Sequence, residues 1–273
     1  YMFDMNRDWF AMTQPETIGR VTELQKWYPL VVVDLHEMDG DQSYYFAPPA
    51  IPINPHVTSQ QANSLELFGK NNAKWFDAFG FDYFTREIFD SFYPGYGDGW
   101  PTYYGGISMT YEQASSRGLV FHRADGADLH YRDTVRHHFV ASISTAEATA
   151  VNRKKLLRDF YNYRKTAIEE GRKDKVKSYI IPTQDDQAAA TKLAGLLVQQ
   201  GVEVQKADES FRACGTTYDA GSYVIDLAQP AKRLVRTLLD ENVAMNEDFI
   251  KEQERRRAKD MYAEIYDVTA WSL

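Results

Sequence analysis

The feature that most constrains the fold is a short apolar run that leads directly into charged residues. Residues 30–33 (LVVV) form a β-branched run typical of a buried strand. The run continues without a break into residues 34–37 (DLHE). Polar side chains at the C-terminal end of a buried strand are the usual place for an active site in an α/β protein. The sequence therefore predicts an α/β fold with a candidate site at the end of this strand.

Helical and loop patterns surround this strand. Apolar residues recur every third position in residues 14–28, which predicts an amphipathic helix with Ile18, Val21, Leu24 and Trp27 on its buried face, ending at Pro29. Residues 59–78 and about 132–170 are also predicted to be helical, and residues 107–111 a strand. Residues 40–57 and 90–106 are predicted loops. Their aromatic side chains are suited to a cleft or to a core.

The pattern changes after the charged stretch at residues 172–177. Residues 178–181 predict a strand, and Asp185 is a candidate cap for a helix that ends at Gly201. Residues 202–204 predict the next strand, which would complete a β-α-β unit with a parallel pair. A strand at residues 222–225 and a helix after Pro230 follow. We therefore predict two domains, at residues 1–172 and 173–273, the second a smaller layered α/β domain.

Charge and cysteine content exclude several classes of function. The chain has 31 basic and 39 acidic residues, a net charge of −8, which argues against nucleic acid or an anionic membrane as a partner. No run approaches the roughly 18 apolar residues of a membrane span. Cys214 is the only cysteine, so no internal disulfide is possible. It lies outside any nucleophile motif, and we interpret it as a buried or incidental residue.

Three short segments carry residues suited to hydrolytic chemistry. The imidazole of His36 suits zinc, and Asp34 or Glu37 would orient it. Adjacent Asn6 and Arg7 offer fixed donors that match a carboxylate. Glu112, directly after the strand at residues 107–111, is placed to accept a proton from water. Each residue also has an ordinary structural interpretation: a packed histidine, a surface ion pair or a solvated glutamate.

The ordered set of motifs resembles the M14 family of zinc carboxypeptidases, in its large bacterial form. Residues 6–8 (NRD) and 13–17 (TQPET) look like the family's Asn-Arg motif and the stretch after it. Residues 33–38 (VDLHEM) look like the segment with its third zinc ligand, and residues 106–118 (GISMTYEQASSRG) like the strand with its catalytic glutamate. The resemblance covers residues 1 to about 170. It implies an incomplete zinc-carboxypeptidase-like mixed sheet with flanking helices.

The resemblance also implies roles for individual residues. His36 would bind Zn²⁺, Glu112 would act as general base, and Arg7 with Asn6 would hold the free carboxylate of a peptide or protein substrate. A tyrosine would cap the substrate, and both Tyr93 and Tyr96 are candidates. The implied reaction is hydrolysis of peptide bonds near a free C-terminus. The implied location is outside the bacterial cytoplasm, secreted or periplasmic.

One departure from the family pattern affects the metal. The family's first two zinc ligands lie in a His-x-x-Glu motif well upstream of the Asn-Arg motif, and only five residues precede Asn6 here. We expect those ligands in an N-terminal remainder of the same peptidase. Replacement ligands are also conceivable among the other histidines: His122, His130, His137 and His138.

Two other functions stay open at this point. The chain is alternatively a non-catalytic binding or assembly subunit, or an inert fragment of a larger peptidase. A cell-wall peptide amidase would use similar zinc chemistry. The second domain resembles the glutamine-amidotransferase-like tail of large bacterial M14 proteins, and we assign it no activity because a fold alone implies none.

Overall fold

A computed structural model describes residues 3–262, so the outer ends of both predicted domains lie outside the described residues. This part of the chain is a mixed α/β structure with six α-helices and several small sheets. The helices are α1 (Pro15–Trp27), α2 (Ser59–Phe79), α3 (Tyr131–Lys173), α4 (Gln187–Gln199), α5 (Lys232–Leu239) and α6 (Glu247–Arg257). The strands are β1 (Val31–Met38), β2 (Tyr44–Tyr45), β3 (Ala50–Ile53), β4 (Asp90–Ser91), β5 (Ile107–Ala114), β6 (Val120–His122), β7 (Asp128–His130), β8 (Ser178–Ile181), β9 (Gln205–Lys206), β10 (Phe211–Ala213), β11 (Thr216–Tyr218) and β12 (Tyr223–Asp226). Two short 3-10 helices span Met5–Arg7 and Trp100–Tyr104.

The main sheet has the strand order β1-β5-β2. β1 and β5 are parallel, and β2 pairs antiparallel with β5. Helices α2 and α3 cover one face, where Met109 and Tyr111 of β5 are buried. Tyr44 and Phe46 lie in the same cluster and are fully buried, so these aromatic residues fill the core. Burial of aromatic surface on this scale is a main source of the stability of the sheet.

Helices α2 and α3 confirm the sequence prediction to within three residues at each end. A capping box begins α2, because the Thr58 hydroxyl accepts from the Gln61 amide while the Gln61 side chain accepts from the Thr58 amide. Gly80 then ends it in the left-handed conformation, with φ of 68°. Helix α3 continues through Lys173, and Asp174 is its C-cap, so the first three of the six predicted linker residues belong to the helix or to its end.

The prediction that Trp27 lies on the buried face of α1 is wrong. Val21 is fully buried, but Trp27 is 80% exposed. A spacing of three residues turns 300° around a helix, so the apolar stripe drifts by 60° at each step. Over three steps the drift reaches 180°, and Trp27 therefore points away from the face that Ile18 begins.

The strand pairing of the second region also differs from the prediction. The prediction of a strand at residues 202–204 is wrong, because the strand in this region is β9, at Gln205–Lys206. β8 and β9 run in the same direction, as the predicted β-α-β unit requires, but they are not hydrogen-bonded to each other. β12 lies between them and pairs antiparallel with each. The helix cap is Asp186 rather than Asp185, because its carboxylate accepts from the Ala189 amide. The strand and helix predicted near residues 222–225 and after Pro230 are present as β12 and α5.

The two predicted domains are in contact in one hydrophobic cluster. Phe10 and Tyr103, from the first region, are buried among residues of α4, β12 and α5. Their partners include Leu197, Ile225 and Leu234. The second region thus supports the segment that carries Arg7. Within residues 3–262, no helix is long and apolar enough to cross a membrane.

Candidate active site

The register of the parallel pair brings two of the predicted residues together. His36 of β1 lies opposite Glu112 of β5, and Asp34 lies opposite Thr110. Because side chains alternate across a strand, these four residues share one face of the sheet. That face is opposite the one on which Met109 and Tyr111 pack. The sheet therefore presents an imidazole and a carboxylate side by side, away from its helical cover.

A cleft of about 350 Å³ lies over these residues. It is lined by Asp4, Asn6, Arg7, His36, Ile88, Phe89, Asp90, Tyr96, Asp98, Thr110 and Glu112. Five of the six residues predicted from the sequence are among them. The sixth, Tyr93, does not line the cleft, and its ring packs edge-on against Tyr96 with the centroids 5.0 Å apart. Of the two candidate tyrosines, only Tyr96 is placed to contact a molecule in the cleft.

His36 is held by its neighbours on both sides. Its Nε2 lies 2.9 Å from the Asp34 Oδ2, and its Nδ1 lies 4.0 Å from the Glu112 Oε1. The hydrogen bond to Asp34 is the main reason that the pKa of His36 is raised, and the charges of Asp34 and Glu112 add to it. A carboxylate bonded to one ring nitrogen fixes the tautomer and directs the other nitrogen into the cleft. Here that free nitrogen is Nδ1.

Glu112 is a buried carboxyl group, with 6% of the residue exposed. Its pKa is raised to about 7, chiefly because burial penalises the charged form. Nearby Asp98 and Asp34 raise the pKa further, whereas His36 lowers it. A carboxyl group that titrates near neutral pH is suited to both accepting and returning a proton.

Arg7 and Asn6 belong to the 3-10 helix Met5–Arg7 and also line the cleft. Arg7 lies over the Tyr96 ring, with its guanidinium carbon 4.5 Å from the ring centroid, and ion-pairs with Asp4 at 3.3 Å. The Asn6 side-chain oxygen accepts from the Gly97 amide at 2.8 Å, so it fixes the loop that carries Tyr96. Gly97 must lack a side chain, because a Cβ there would collide with the Asp34 carboxylate and contact Trp9.

Sequence reasoning missed Asp98 and Thr110. Shielding from water raises the pKa of Asp98 to about 6, and the charge of Asp34 adds to this, while a hydrogen bond from Thr110 opposes it. The period of two along β5 places Thr110 on the same face as Glu112 and was sufficient to identify it. No pattern marks Asp98, because it lies in an irregular loop and reaches the cleft only through tertiary packing.

The four histidines considered as replacement ligands have other places in the structure. His138 Nε2 donates to the His36 backbone carbonyl at 3.2 Å, so its Nδ1 accepts from the Tyr44 hydroxyl at 2.8 Å. His137 Nδ1 is bonded to the Gln113 side chain at 3.0 Å, and His122 pairs with Asp128. His130 is the N-cap residue of α3. None of these rings lines the cleft. His138 instead supports the strand that presents His36.

The described residues supply one candidate zinc ligand. The donor set at His36, with Asp34 behind the ring, has the chemistry of an oriented metal ligand. However, residues 3–262 contain no group of three or more histidine, cysteine, aspartate and glutamate side chains that could hold a metal ion. Catalytic zinc takes three protein ligands. The described part of the chain therefore does not form a complete zinc site.

In comparisons with models of known protein families, with curated proteins and with solved structures, nothing matches this chain.

Proposed function

We propose that this chain carries part of the active site of a zinc-carboxypeptidase-like hydrolase that cleaves peptides near a free C-terminus. One observation is the main support for this proposal. Five residues chosen from sequence motifs, spread over more than 100 positions, line a single cleft. Each motif has an ordinary structural explanation by itself, but those explanations give no reason for the residues to meet. In this proposal the β1-β5-β2 sheet is part of the family's larger mixed sheet.

Arg7 is the proposed binding group for the substrate's terminal carboxylate. A guanidinium offers paired donors that match a carboxylate, and the cleft places Arg7 beside the aromatic face of Tyr96. Arg7 is about half exposed and bonded to Asp4. A substrate carboxylate would therefore replace Asp4 as the partner of Arg7. Asn6 positions the loop with Tyr96, which would then cover the bound end of the substrate.

Glu112 is the proposed proton carrier. It takes a proton from water as the water oxygen attacks the scissile carbonyl carbon. It then gives that proton to the leaving nitrogen as the carbon–nitrogen bond breaks, so the group returns to its starting state. The pKa near 7 matches this double role, because the group is neither permanently charged nor permanently protonated at neutral pH.

His36 is the proposed contribution of this chain to a metal site. Zinc, when bound, would polarise the scissile carbonyl and increase the acidity of water. Asp34 would hold the His36 ring so that Nδ1 faces the bound ion. Two further ligands must come from outside the described residues. The proposed exported location of a bacterial enzyme of this class depends on the same resemblance.

A non-catalytic binding subunit is the second candidate, and one observation favours it. Residues 3–262 form no group of three or more side chains that could hold a metal ion, yet Arg7 lines their cleft. Such a protein would bind peptides with free C-termini and would not hydrolyse them. Zinc content separates the two candidates. Retention of about one zinc per chain after dialysis of the complete gene product supports the enzyme, and its absence supports the binding subunit.

Substitution of Glu112 tests the chemistry. In the complete gene product, Glu112→Gln should lower kcat by about 10²–10⁴-fold, because the amide cannot carry the proton. Substrate affinity should change little, since the group acts in the transition state. Near-normal turnover by this variant would exclude Glu112 as the proton carrier.

Substitution of Arg7 tests substrate recognition. Arg7→Ala should raise KM for peptides with a free C-terminus and leave amidated peptides unaffected, which removes the preference for the free acid. Arg153→Ala is the matched control, because Arg153 lies outside the cleft and donates to the Ala150 carbonyl of its own helix. Equal cleavage of free and amidated peptides by the unmodified protein would contradict the proposed role.

A further inference from the structure

Ile88 has a backbone conformation that isoleucine rarely adopts. Its φ is 65°, in the left-handed region, where a β-branched side chain is strained. The turn around it is tight, because the Phe89 amide donates to the Glu87 carbonyl at 2.7 Å. Glycine or asparagine would meet this backbone requirement at a lower cost. The turn itself therefore gives no reason for an isoleucine at this position.

Backbone hydrogen bonds hold the turn on both sides of Ile88. Before it, the Arg86 amide donates to the Pro48 carbonyl at 2.9 Å. After it, the Phe89 carbonyl accepts from the Ala50 amide at 2.7 Å. The strained backbone cannot relax without the loss of these bonds, so they hold the Ile88 side chain in place.

Burial does not explain the isoleucine either. Ile88 is 64% exposed, and apolar side chains stabilise a fold in proportion to the surface that they remove from water. The residue is also part of the lining of the cleft. Strained residues that persist in a structure cluster at active sites and ligand-binding sites. An exposed and strained isoleucine in the wall of a cleft is therefore best explained by contact with a bound molecule.

Apolar surface in the cleft is concentrated at this turn. Ile88 and Phe89 are the only wholly apolar side chains among the described residues that line it, and we call them the apolar wall. The Phe89 ring packs against Tyr45 with the ring centroids 4.6 Å apart, which fixes its position. The guanidinium of Arg7 already occupies one face of the Tyr96 ring. An apolar group that enters the cleft thus finds its contacts at the apolar wall.

Three aspartates also line the cleft, so a basic ligand is the rival possibility. Asp98 already accepts a hydrogen bond from Thr110. The carboxylate of Asp90 accepts from a backbone amide at 2.9 Å. Asp4 is the partner of Arg7, and its side chain is 58% exposed, so it can turn toward water when a substrate carboxylate replaces it. These acids are therefore less suited to a ligand than the apolar wall is.

We propose that the apolar wall is a subsite that selects peptides whose C-terminal residue has an aliphatic side chain. The choice of the C-terminal residue rests on the proposed function, in which Arg7 binds the terminal carboxylate and Glu112 acts at the preceding peptide bond. With both ends of that residue placed, its side chain is the part left to contact the apolar wall. The contact itself depends only on Ile88, Phe89 and the cleft that they line.

Calorimetric titration of the 273-residue chain, with a chelator present, measures binding without hydrolysis. The probes are N-acetylated dipeptides that begin with glycine and end with leucine, alanine, lysine or aspartate. Each methylene group that leaves water strengthens binding by up to about fourfold. The leucine peptide should therefore bind at least about 10-fold more tightly than the alanine peptide. The lysine and aspartate peptides should bind no more tightly than the alanine peptide.

A pair of substitutions tests the residue. Ile88→Asn removes the apolar contact and preserves the fold, because asparagine tolerates a positive φ. Its Tm should not fall, while its preference for leucine over alanine should drop to below about twofold. Ile51→Asn is the matched control, since Ile51 is 54% exposed in β3 and does not line the cleft. The control should keep the full preference. A full preference in Ile88→Asn as well would overturn the proposal.

Amidated forms of the same dipeptides separate this inference from the proposed function. Equal binding of the leucine and alanine acids, each tighter than its amide, would overturn the apolar subsite and leave the role of Arg7 intact. Acids and amides that bind equally, with leucine preferred in both, would support the subsite and contradict the role of Arg7. Tighter binding of the lysine acid than of the leucine acid would assign the cleft to basic residues and overturn the proposal. Absence of binding by every peptide would contradict both.

Discussion

Gln200 joins the second region to the segment that carries Arg7, and its replacement by leucine should be strongly destabilising. The side chain is buried, and its amide nitrogen donates to the carbonyls of Trp9 and Phe10 at 3.1 and 2.7 Å. Its oxygen accepts from the indole nitrogen of Trp100. Leucine has a similar volume and can take none of these roles.

The expected cost follows from the groups that lose their partner. Gln200→Leu leaves two carbonyls and one indole N–H without the Gln200 amide. An unsatisfied buried polar group costs about 1–3 kcal/mol. Burial of the extra apolar surface of leucine offsets about 1 kcal/mol. Three such groups cost about 3–9 kcal/mol, so the free energy of unfolding should fall by roughly 2–8 kcal/mol, a large fraction of the stability of a typical domain.

Urea denaturation measured by tryptophan fluorescence provides the assay. Trp9 and Trp100, two of the five tryptophans, lie at this junction with ring centroids 6.2 Å apart, so part of the signal reports on it. Gln199→Leu is the matched control, because it makes the same change one residue away on an exposed side chain. The free energy of unfolding of the control should stay within about 0.5 kcal/mol of that of the unmodified protein. Equal effects of the two substitutions, or a loss below 1 kcal/mol for Gln200→Leu, would refute the reasoning.

Local sequence patterns were sufficient to predict most helices and the two main strands. The predicted helices at residues 59–78 and about 132–170 match α2 and α3 closely, and the structure shows a capping box at Thr58. The β-branched run in β1 and the strand before Glu112 were also evident. These features are local, because a cap or a periodic pattern involves residues within a few positions of each other.

Non-local features were beyond the same reasoning. The antiparallel pairing of β8 and β9 with β12 depends on a strand that enters between them from 17 or more residues away. The edge position of β1 within the sheet and the buried amide of Gln200 likewise depend on tertiary packing. At the candidate site, the residue types were predicted from motifs, whereas the approach of Asp98 and the closeness of Gly97 to Asp34 were not. Such contacts are set by how elements pack, and no spacing along the chain encodes them.

Two further substitutions replace glycine by alanine, and the first of them tests the support of the cleft. Gly97→Ala should move the loop away from Asp34 and reduce binding of free-acid peptides, because a Cβ at Gly97 has no space. Gly195→Ala, at an exposed position of α4 where a Cβ would meet nothing within 4 Å, should instead stabilise the protein by about 0.5–1 kcal/mol. The third prediction concerns pH. Burial lowers the pKa of His137 from 6.5 to about 4, so the unfolded chain binds this proton more readily than the folded chain between those values. The contribution of His137 is therefore present above pH 6.5 and is lost as the pH falls toward 4, by about 1–2 kcal/mol once solvent screening of this partly exposed ring is included. His137→Gln removes this dependence, while its amide can still bond to Gln113. Urea denaturation at pH 7 and pH 4.5 should show the variant losing less stability than the unmodified protein; parallel losses in both proteins would mean that His137 is not held neutral by burial.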